Sequence, residues 1–430
     1  MTHCPNPVDG CFLTYEQEHS GVHPYIGAVL HATGTAPKLS DVREQIAGRI
    51  DRMPSLVCRV SKQGRRTVWD VDPDFDPGRH VHEILLPDGV TSPDQTVEAL
   101  LCEPMAEDAP RWGVWLIHGY SGGEYVLFYR AHHAAQDGQA LLDAVTTLFG
   151  AGPPVAPRRA VVTPPVRRPW RSRIPARAIG RNMVDLARGL RSTMTWSKGR
   201  PLTGQARIVS ASVPLPWLRE TARVLGATPN DICLAALAEA LRTWLPEDRP
   251  AGRGRRDLHV GMPVTLRYPE ERYSVGNRVS AVRIPLSFWA DSSTERVAAI
   301  ARATRRIRTD GMRRVLRAQT RLPEWLLYRF ALQAANVRSG LDTSGLVRVP
   351  GRLAMGDDPI EVVVPTLFLH GEQPFAVSFL SYRGQALVSL TIDRALADAD
   401  GLATLWAAAV ERLWREATTA AETPPRVPTG

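Results

Sequence analysis

Cysteine is scarce in this chain: five in 430 residues, at Cys4, Cys11, Cys58, Cys102 and Cys233. The number is odd and no two form a C-x-x-C pair, so neither a disulfide framework nor a cysteine-based zinc site is indicated. A reducing cytoplasm fits that usage. No apolar run approaches the roughly 20 residues that a membrane-spanning helix needs. The opening MTHCPNPVDGCF has neither the basic stretch nor the apolar core of a secretory signal. Acidic residues nearly vanish between 158 and 200, where Asp185 faces twelve Arg and Lys. That segment carries +11 in a chain whose net charge is +9, so the remainder is slightly acidic. Basicity this local argues against a nucleic-acid protein with a broad positive face, and no nucleic-acid partner is expected.

What is present is a globular composition, 44% hydrophobic, in a chain long enough for two domains or subdomains. Residues 1–150 mix strands and helices. HPYIGAVLHATG reads as a strand, and LSDVREQIAGRIDRMP as a helix with Ser40 as its N-cap. WGVWLIHGY and GEYVLFYRAHH read as two strands joined at Ser121-Gly122. A helix follows from Gln139 to Phe149, with Leu141, Leu142, Val145 and Leu148 at helical spacing. Six prolines in 153–169 rule out a continuous helix there, and 174–196 reads as a basic helix, so 151–204 forms a crossing linker.

The second half, 205–420, has the same mixed texture. It offers a strand at ARIVSASVPL, a helix at TPNDICLAALAEALRTWL and strands at DLHVGMPVTLR and NRVSAVRIPLS. Beyond an Arg-rich helical stretch around 292–337 come strands at IEVVVPTLFLH, FAVSFLSYRG and ALVSLTIDR. A helix is expected from Asp398 to about Glu416, then a disordered tail at 421–430. There is no short repeat. The two halves suggest an α/β architecture of two similar layers facing each other.

One stretch carries the chemistry: His132-His133-Ala134-Ala135-Gln136-Asp137-Gly138, where a strand gives way to a helix. Four fixed positions in seven arise by chance roughly once in a thousand sequences of this length. Histidine is the side chain best placed to take a proton near neutral pH. A neutral imidazole at the strand end, His133, could accept the proton of an alcohol or amine. Asp137 sits beyond a turn, where it could pair with an arginine and fix the loop, and Gly138 fits a turn that a larger side chain would crowd.

Two rival chemistries need weighing. His132, His133 and Asp137 could hold a metal ion, but adjacent strand residues point to opposite faces, which sets the two histidines apart. Gly119-Tyr120-Ser121-Gly122-Gly123 fits the G-x-S-x-G of a serine hydrolase, but that motif needs a helix after it and a strand follows here. The basic 158–200 segment could lie on anionic lipid, attract an acidic carrier protein or the phosphates of a coenzyme, or serve as a solvated linker. The Arg302–Arg321 run reads as a solvated helix face.

His-His-x-x-x-Asp-Gly resembles the signature of the coenzyme-A-dependent acyltransferase superfamily, which includes peptide-synthetase condensation domains. The flanks narrow the resemblance to the bacterial wax ester synthase/diacylglycerol acyltransferase family. Asn6-Pro7-Val8-Asp9 looks like that family's Ser-Pro-Leu-Asp, and Pro110-Arg111-Trp112 its Pro-Leu-Trp, with an Arg in the middle. Asn230-Asp231, Pro263-Val264-Thr265-Leu266-Arg267, Gly276-Asn277-Arg278 and Leu380-Ser381-Tyr382-x-Gly384 match later motifs. The family's Ser-Asn-Val-Pro-Gly-Pro segment departs here: residues 343–351 read TSGLVRVPG and lack the Asn.

The resemblance implies two chloramphenicol-acetyltransferase-like lobes, each a mixed sheet flanked by helices, with the active site in a tunnel between them. It implies transfer of an acyl group from acyl-CoA to an alcohol without an acyl-enzyme, with no bound cofactor or metal and acyl-CoA as co-substrate. His132, His133, Asp137 and Gly138 would form the catalytic motif, with His133 as general base and Asp137 structural, paired with Arg267. Asn230, Thr265 and Asn277 would line the tunnel. A membrane-surface lipid alcohol is the leading acceptor, reached from the cytoplasmic side. The alternatives are a specialised-metabolite acyltransferase with another alcohol or an amine acceptor and a carrier-bound donor, and a non-catalytic partner protein that has kept the fold.

Overall fold

The computed structural model describes residues 4–64, 66–152, 201–245, 258–308, 310–329, 340–369 and 373–422. Of the expected linker at 151–204, residues 153–200, with the expected basic helix at 174–196, lie outside the described residues. So does the tail from 423 onward.

Among the described residues fifteen strands run in chain order. They are β1 (Tyr25–Thr33), β2 (Cys58–Gln63), β3 (Arg66–Val71), β4 (Val81–Leu85), β5 (Trp112–His118), β6 (Glu124–His132) and β7 (Ala206–Pro214), then β8 (His259–Thr265), β9 (Val279–Pro285), β10 (Gly340–Thr343), β11 (Val347–Arg348), β12 (Ala354–Met355), β13 (Asp358–Thr366), β14 (Phe375–Tyr382) and β15 (Gln385–Asp393). One sheet has the order β12-β13-β1-β6-β5-β4, antiparallel except for the parallel pair β4–β5. The other runs β7-β15-β14-β10-β8-β9, with β11 added beside β14 and parallel pairs at β8–β10 and β10–β14. Both sheets are mixed and flanked by helices, the expected α/β architecture. β2 and β3 form a separate hairpin.

The two halves are not closed units. β12 and β13 leave the C-terminal half and extend the N-terminal sheet, where Thr366 pairs with Gly27 and Val363 with Leu30. The apolar run Val362-Val363-Val364 of β13 marks a strand but not which sheet it joins. Leu353, Ile360 and Val363 are buried with Leu30, Val145 and Phe149 in the N-terminal core, which supplies the physical reason.

The helix Pro229–Trp244 shows why the second core forms. Thr228 caps it, Pro229 fits its first turn and Asp231 completes a capping box. It is apolar nearly all round, and it is buried nearly all round. The last helix, Leu402–Glu422, packs against it, with Trp406 Nε1 donating to Cys233 O at 3.1 Å. That helix extends beyond Glu416 to Glu422, so residues 421 and 422 of the expected tail are helical.

Other expectations shift locally. The helix at Leu39–Ala47 is capped by Lys38 backbone, and Ser40 lies inside its first turn and donates to Asp41. It ends at Ala47 with Gly48 as its C-cap and gives way to short 3₁₀ turns at Ile50–Arg52 and Pro54–Val57, the second opened by Pro54 at its first position. Ser121 occupies the hairpin between β5 and β6, with a strand on each side. Among the described residues no single helix is long and apolar enough to cross a membrane; one bent pair, Leu215–Val224 with Pro229–Trp244, passes on length and composition.

Candidate active site

The site is built from three separate stretches of chain. β6 ends at His132, and after a short turn Asp137 caps the helix Gly138–Phe149, its Oδ1 accepting from Ala140 N at 2.9 Å. The helix Pro7–Glu18, absent from the sequence reading, lies against this loop. Asn6 caps it, Pro7 sits in its first turn and Asp9 closes a capping box. The third piece is the turn before β9, Gly276-Asn277-Arg278.

Asn277 is the hinge of the arrangement. Its Nδ2 donates to Asp9 Oδ1 at 3.0 Å, His133 O at 2.7 Å and Ala134 O at 3.1 Å. Three acceptors around one amide nitrogen fix which way the amide points. Its oxygen therefore faces His133 Nδ1, at 3.1 Å. An amide oxygen can only accept, so Nδ1 carries the ring proton and Nε2 is the basic nitrogen of neutral His133. Phe12 stacks on the imidazole at 4.1 Å between centroids, and Phe368 meets it edge-on at 6.1 Å. His133 N–H donates to Pro24 O at 2.7 Å.

Asp9 is fully buried and its carboxylate is shared out. Oδ1 accepts from Asn277 N at 2.7 Å, and Oδ2 accepts from Asn6 N at 3.0 Å and Trp69 Nε1 at 3.2 Å. Burial pushes its carboxyl up, against the pull of the Arg278 charge and of the Asn277 and Trp69 donors. Gly276 is required here: its φ is +86°, and a Cβ would meet Asp9 Oδ2 at 2.5 Å.

Asp137 pairs with Arg267, Nη2 to Oδ2 at 2.8 Å, both side chains 4% exposed. Oδ2 also accepts from Arg278 N at 2.9 Å. Burial raises this carboxyl, but Arg267 and the Arg278 and Ala140 N–H groups overcome it and hold it below the ordinary carboxylate value. Arg267 Nη1 also donates to Glu271 O and Ser274 O, and Nη2 to Gly276 O, so the side chain ties the two halves together.

His132 turns the other way. It is fully buried, its Nδ1 accepts from Ala134 N at 3.0 Å, and its Nε2–H donates to Glu16 Oε2 at 3.1 Å. Burial pushes its pKa down to about 4 despite Glu16. Glu16 falls to about 2: burial opposes this, and His132, His23 and Arg111 outweigh it. Arg111 Nη1 reaches the same Oε2 at 2.6 Å. The Arg that interrupts Pro-x-Trp therefore has a partner, a carboxylate on the first helix. Among the described residues His132, His133 and Asp137 face Glu16, Asn277 and Arg267 respectively, which is no arrangement for a shared metal ion.

The remaining predicted residues make contacts of their own. Asn230 Oδ1 accepts from Leu346 N at 2.8 Å, so it anchors the loop at 343–351. Ser344 in that loop bonds the backbone of Phe379, its Oγ accepting from Phe379 N at 2.8 Å. Thr265 is exposed at the end of β8, and its Oγ1 accepts from Arg267 N at 3.4 Å. Gly138 has no crowding neighbour: a Cβ there would meet nothing within 4 Å. The expected backbone reason for this glycine is thus overturned, since the space beside it is open. The Arg302–Arg321 run is only partly a solvated face: Arg308 approaches Asp231 at 3.5 Å and Arg317 lies 3.7 Å over the Tyr268 ring.

Phe12, Glu16 and Phe368 carry this site and have no place in the sequence motifs; Asp9 enters only as the last residue of the Asn6-Pro7-Val8-Asp9 motif. Asn6-Pro7-x-Asp9 is itself a helix-start pattern, which could have exposed the first helix and with it Phe12 and Glu16.

Residues 6–198 match the family model described as the wax ester synthase/diacylglycerol acyltransferase catalytic domain, and residues 275–413 match the C-terminal domain model of the same family. A Mycobacterium tuberculosis protein named as a diacylglycerol O-acyltransferase is 30% identical over 246 residues, 49% of this chain and 51% of that protein. The chain thus spans about half the length of the first relatives it matches. Another M. tuberculosis protein so named is 25% identical over 441 residues, covering 94% of each chain. Among solved structures, the wax ester synthase/diacylglycerol acyltransferase from Marinobacter aquaeolei VT8 superposes with a TM-score of 0.64 at 18% identity, over 97% of this chain and all of that one. The first condensation domain of the calcium-dependent antibiotic synthetase does so with a TM-score of 0.66 at 18% identity, over 98% of each. At that identity the likeness is one of fold.

Proposed function

This chain belongs to the wax ester synthase/diacylglycerol acyltransferase family, and on that premise we propose that it is an acyltransferase that moves an acyl group from acyl-CoA to an alcohol, with His133 as general base. The observation that carries the role of His133 is the orientation of Asn277. By accepting from Nδ1 it leaves Nε2 to take a proton.

In this reading the acceptor hydroxyl gives its proton to His133 Nε2 as its oxygen attacks the thioester carbonyl. The tetrahedral intermediate collapses, the carbon–sulfur bond breaks, and His133 returns the proton to the departing CoA thiolate. No residue is acylated. Asp137, Arg267 and Asp9 touch no reacting atom; they hold the loop and Asn277 in place. A lipid alcohol is the acceptor we favour, taken up at the inner face of the membrane. Five unpaired thiols, three of them buried, support a cytoplasmic location.

The test incubates purified protein with acyl-CoAs of several lengths and a panel of fatty alcohols, diacylglycerol and amines, beside His133→Ala. Ester formation by the wild type and a loss of about 100- to 10,000-fold in the variant are expected. Equal behaviour of the two proteins with every pair would end the catalytic reading. Turnover of amines alone would move the chain to the alternative, a specialised-metabolite enzyme.

A further inference from the structure

Away from His133 the surface holds a pocket of about 480 Å³ whose rim carries four arginines: Arg219, Arg348, Arg352 and Arg383. Its buried floor includes Val349 and Tyr382. Arg383 pairs with Glu361 at 3.0 Å. Among the described residues, no acidic side chain lies within ion-pair distance of Arg219, Arg348 or Arg352. Three cations converging on one hollow without counter-charges repel one another, so the arrangement is stabilised by an anion. Guanidinium forks match phosphate geometry with paired hydrogen bonds.

Two features show that the rim is built rather than accidental. Tyr382 OH accepts from Leu353 N and donates to Ile360 O, both at 2.9 Å, which fixes the crossing segment that carries Arg348 and Arg352. Arg383 has φ +47° and Gly384 φ +77°, in a two-residue turn between β14 and β15. Such a turn favours Asn or Gly at its first position, and an arginine there costs conformational energy.

The pocket also lies at a telling distance from the site. The helix Gly138–Phe149 starts beside the His133 loop, and at its far end Ala151 N donates to Arg352 O at 2.7 Å. Twelve helical residues span about 18 Å, comparable to an extended pantetheine arm. We infer that this arginine pocket binds the phosphates of the donor's nucleotide, the 3′-phosphate and diphosphate of coenzyme A, while the thioester reaches His133. The assignment rests on the acyl-CoA reading above and adds to it the place where the donor is held.

The experiment pairs two donors of one acyl length, the acyl-CoA and the acyl-pantetheine thioester, with wild type, Arg348→Gln/Arg352→Gln and Arg219→Gln. Binding of 3′-phosphoadenosine 5′-phosphate is measured by calorimetry, binding of phosphatidylglycerol vesicles by sedimentation, and folding by thermal melting. The double variant is expected to melt like wild type, to bind the nucleotide about tenfold more weakly and to raise KM for acyl-CoA by a similar factor. Its kcat/KM for the pantetheine thioester stays the same. An equal loss with both donors, or no nucleotide binding by wild type, overturns the assignment. A loss of vesicle binding with nucleotide binding intact overturns it too, in favour of a lipid phosphate. Arginine-dependent nucleotide binding without acyl transfer supports the pocket and refutes the catalytic reading instead, so the two failures are separable.

Discussion

Asp9 and Asn277 are joined across 268 residues of sequence by two hydrogen bonds to one carboxylate oxygen, from the backbone N–H at 2.7 Å and the side-chain Nδ2 at 3.0 Å. Through that pair, the first helix sets the orientation of an amide on the opposite half of the molecule. The amide in turn sets the tautomer of His133. A histidine at the junction of two halves, in the base role proposed above, needs such a tie, because neither half alone fixes both the ring and its partner.

Asn277→Ala removes the partner of Nδ1 and leaves Asp9 with a lost donor. Activity is expected to fall about 100-fold, through kcat more than KM. Stability should fall by about 1–3 kcal/mol for the unsatisfied buried groups. Steady-state kinetics beside denaturant unfolding separate the two effects. Activity close to wild type in a folded variant would refute the positioning role.

Asp137→Ala should act chiefly on folding. It strands Arg267, 4% exposed, without its carboxylate and deletes a helix cap. Breaking a buried pair from one side costs about 3–5 kcal/mol. Because the Asp137 pKa is lowered in the fold, its contribution is present above the unfolded value of about 3.9 and is lost as pH falls through the lower folded value. Urea midpoints measured at neutral and strongly acidic pH should therefore converge for wild type and variant in acid. A stable, fully active Asp137→Ala protein would show that the brace is not needed.

The burial of His132 predicts a second acid limit. His132 is depressed to about 4, so between its unfolded value of about 6.5 and 4 the unfolded chain binds the extra proton. Stability is full above that range and declines through it as pH drops. Glu16, lowered to about 2, adds a further loss below its unfolded value of about 4.3. Unfolding free energies of wild type should fall between pH 6.5 and 4 with a slope that His132→Gln lacks. Parallel curves for the two proteins would contradict the burial argument.

Arg111 is paired with Glu16 at 2.6 Å, side chains 11% and 18% exposed. Arg111→Leu, which restores the family's residue, should destabilise by about 1–3 kcal/mol, and Glu16→Gln should largely remove that difference. A double-mutant cycle on unfolding free energy measures the coupling, and a value near zero would leave the Arg without a role here.

Much of the site was legible where its logic is local. Asp137 precedes an apolar helical period and caps it, which a helix-start pattern announces. The partner of Asp137 is 130 residues away, and Arg267 was reached through the family motif and not through spacing. Asp9, Glu16 and Asn277 depend on contacts over more than 100 residues, which periodicity does not encode. The sheets were legible as strands, but the move of β13 into the N-terminal sheet was not, since an apolar run marks a buried strand and not its neighbour.

Gly138 offers the sharpest case, because the structure removes the backbone reason for a glycine. It is exposed at the first turn of its helix, its φ lies outside the left-handed region, and a Cβ would project into open space. Alanine there should leave the fold unharmed, or stabilise it by about 0.4–1 kcal/mol through the unfolded chain. If the space beside Gly138 is where thioester or acceptor lies next to His133, the same methyl group should lower kcat/KM about tenfold or more, since small misplacements near reacting atoms are costly. Thermal melting and kinetics on one Gly138→Ala preparation read both effects. A variant as stable and as active as wild type would show that substrates do not use this space, and a variant that loses stability would show that the backbone needs glycine after all.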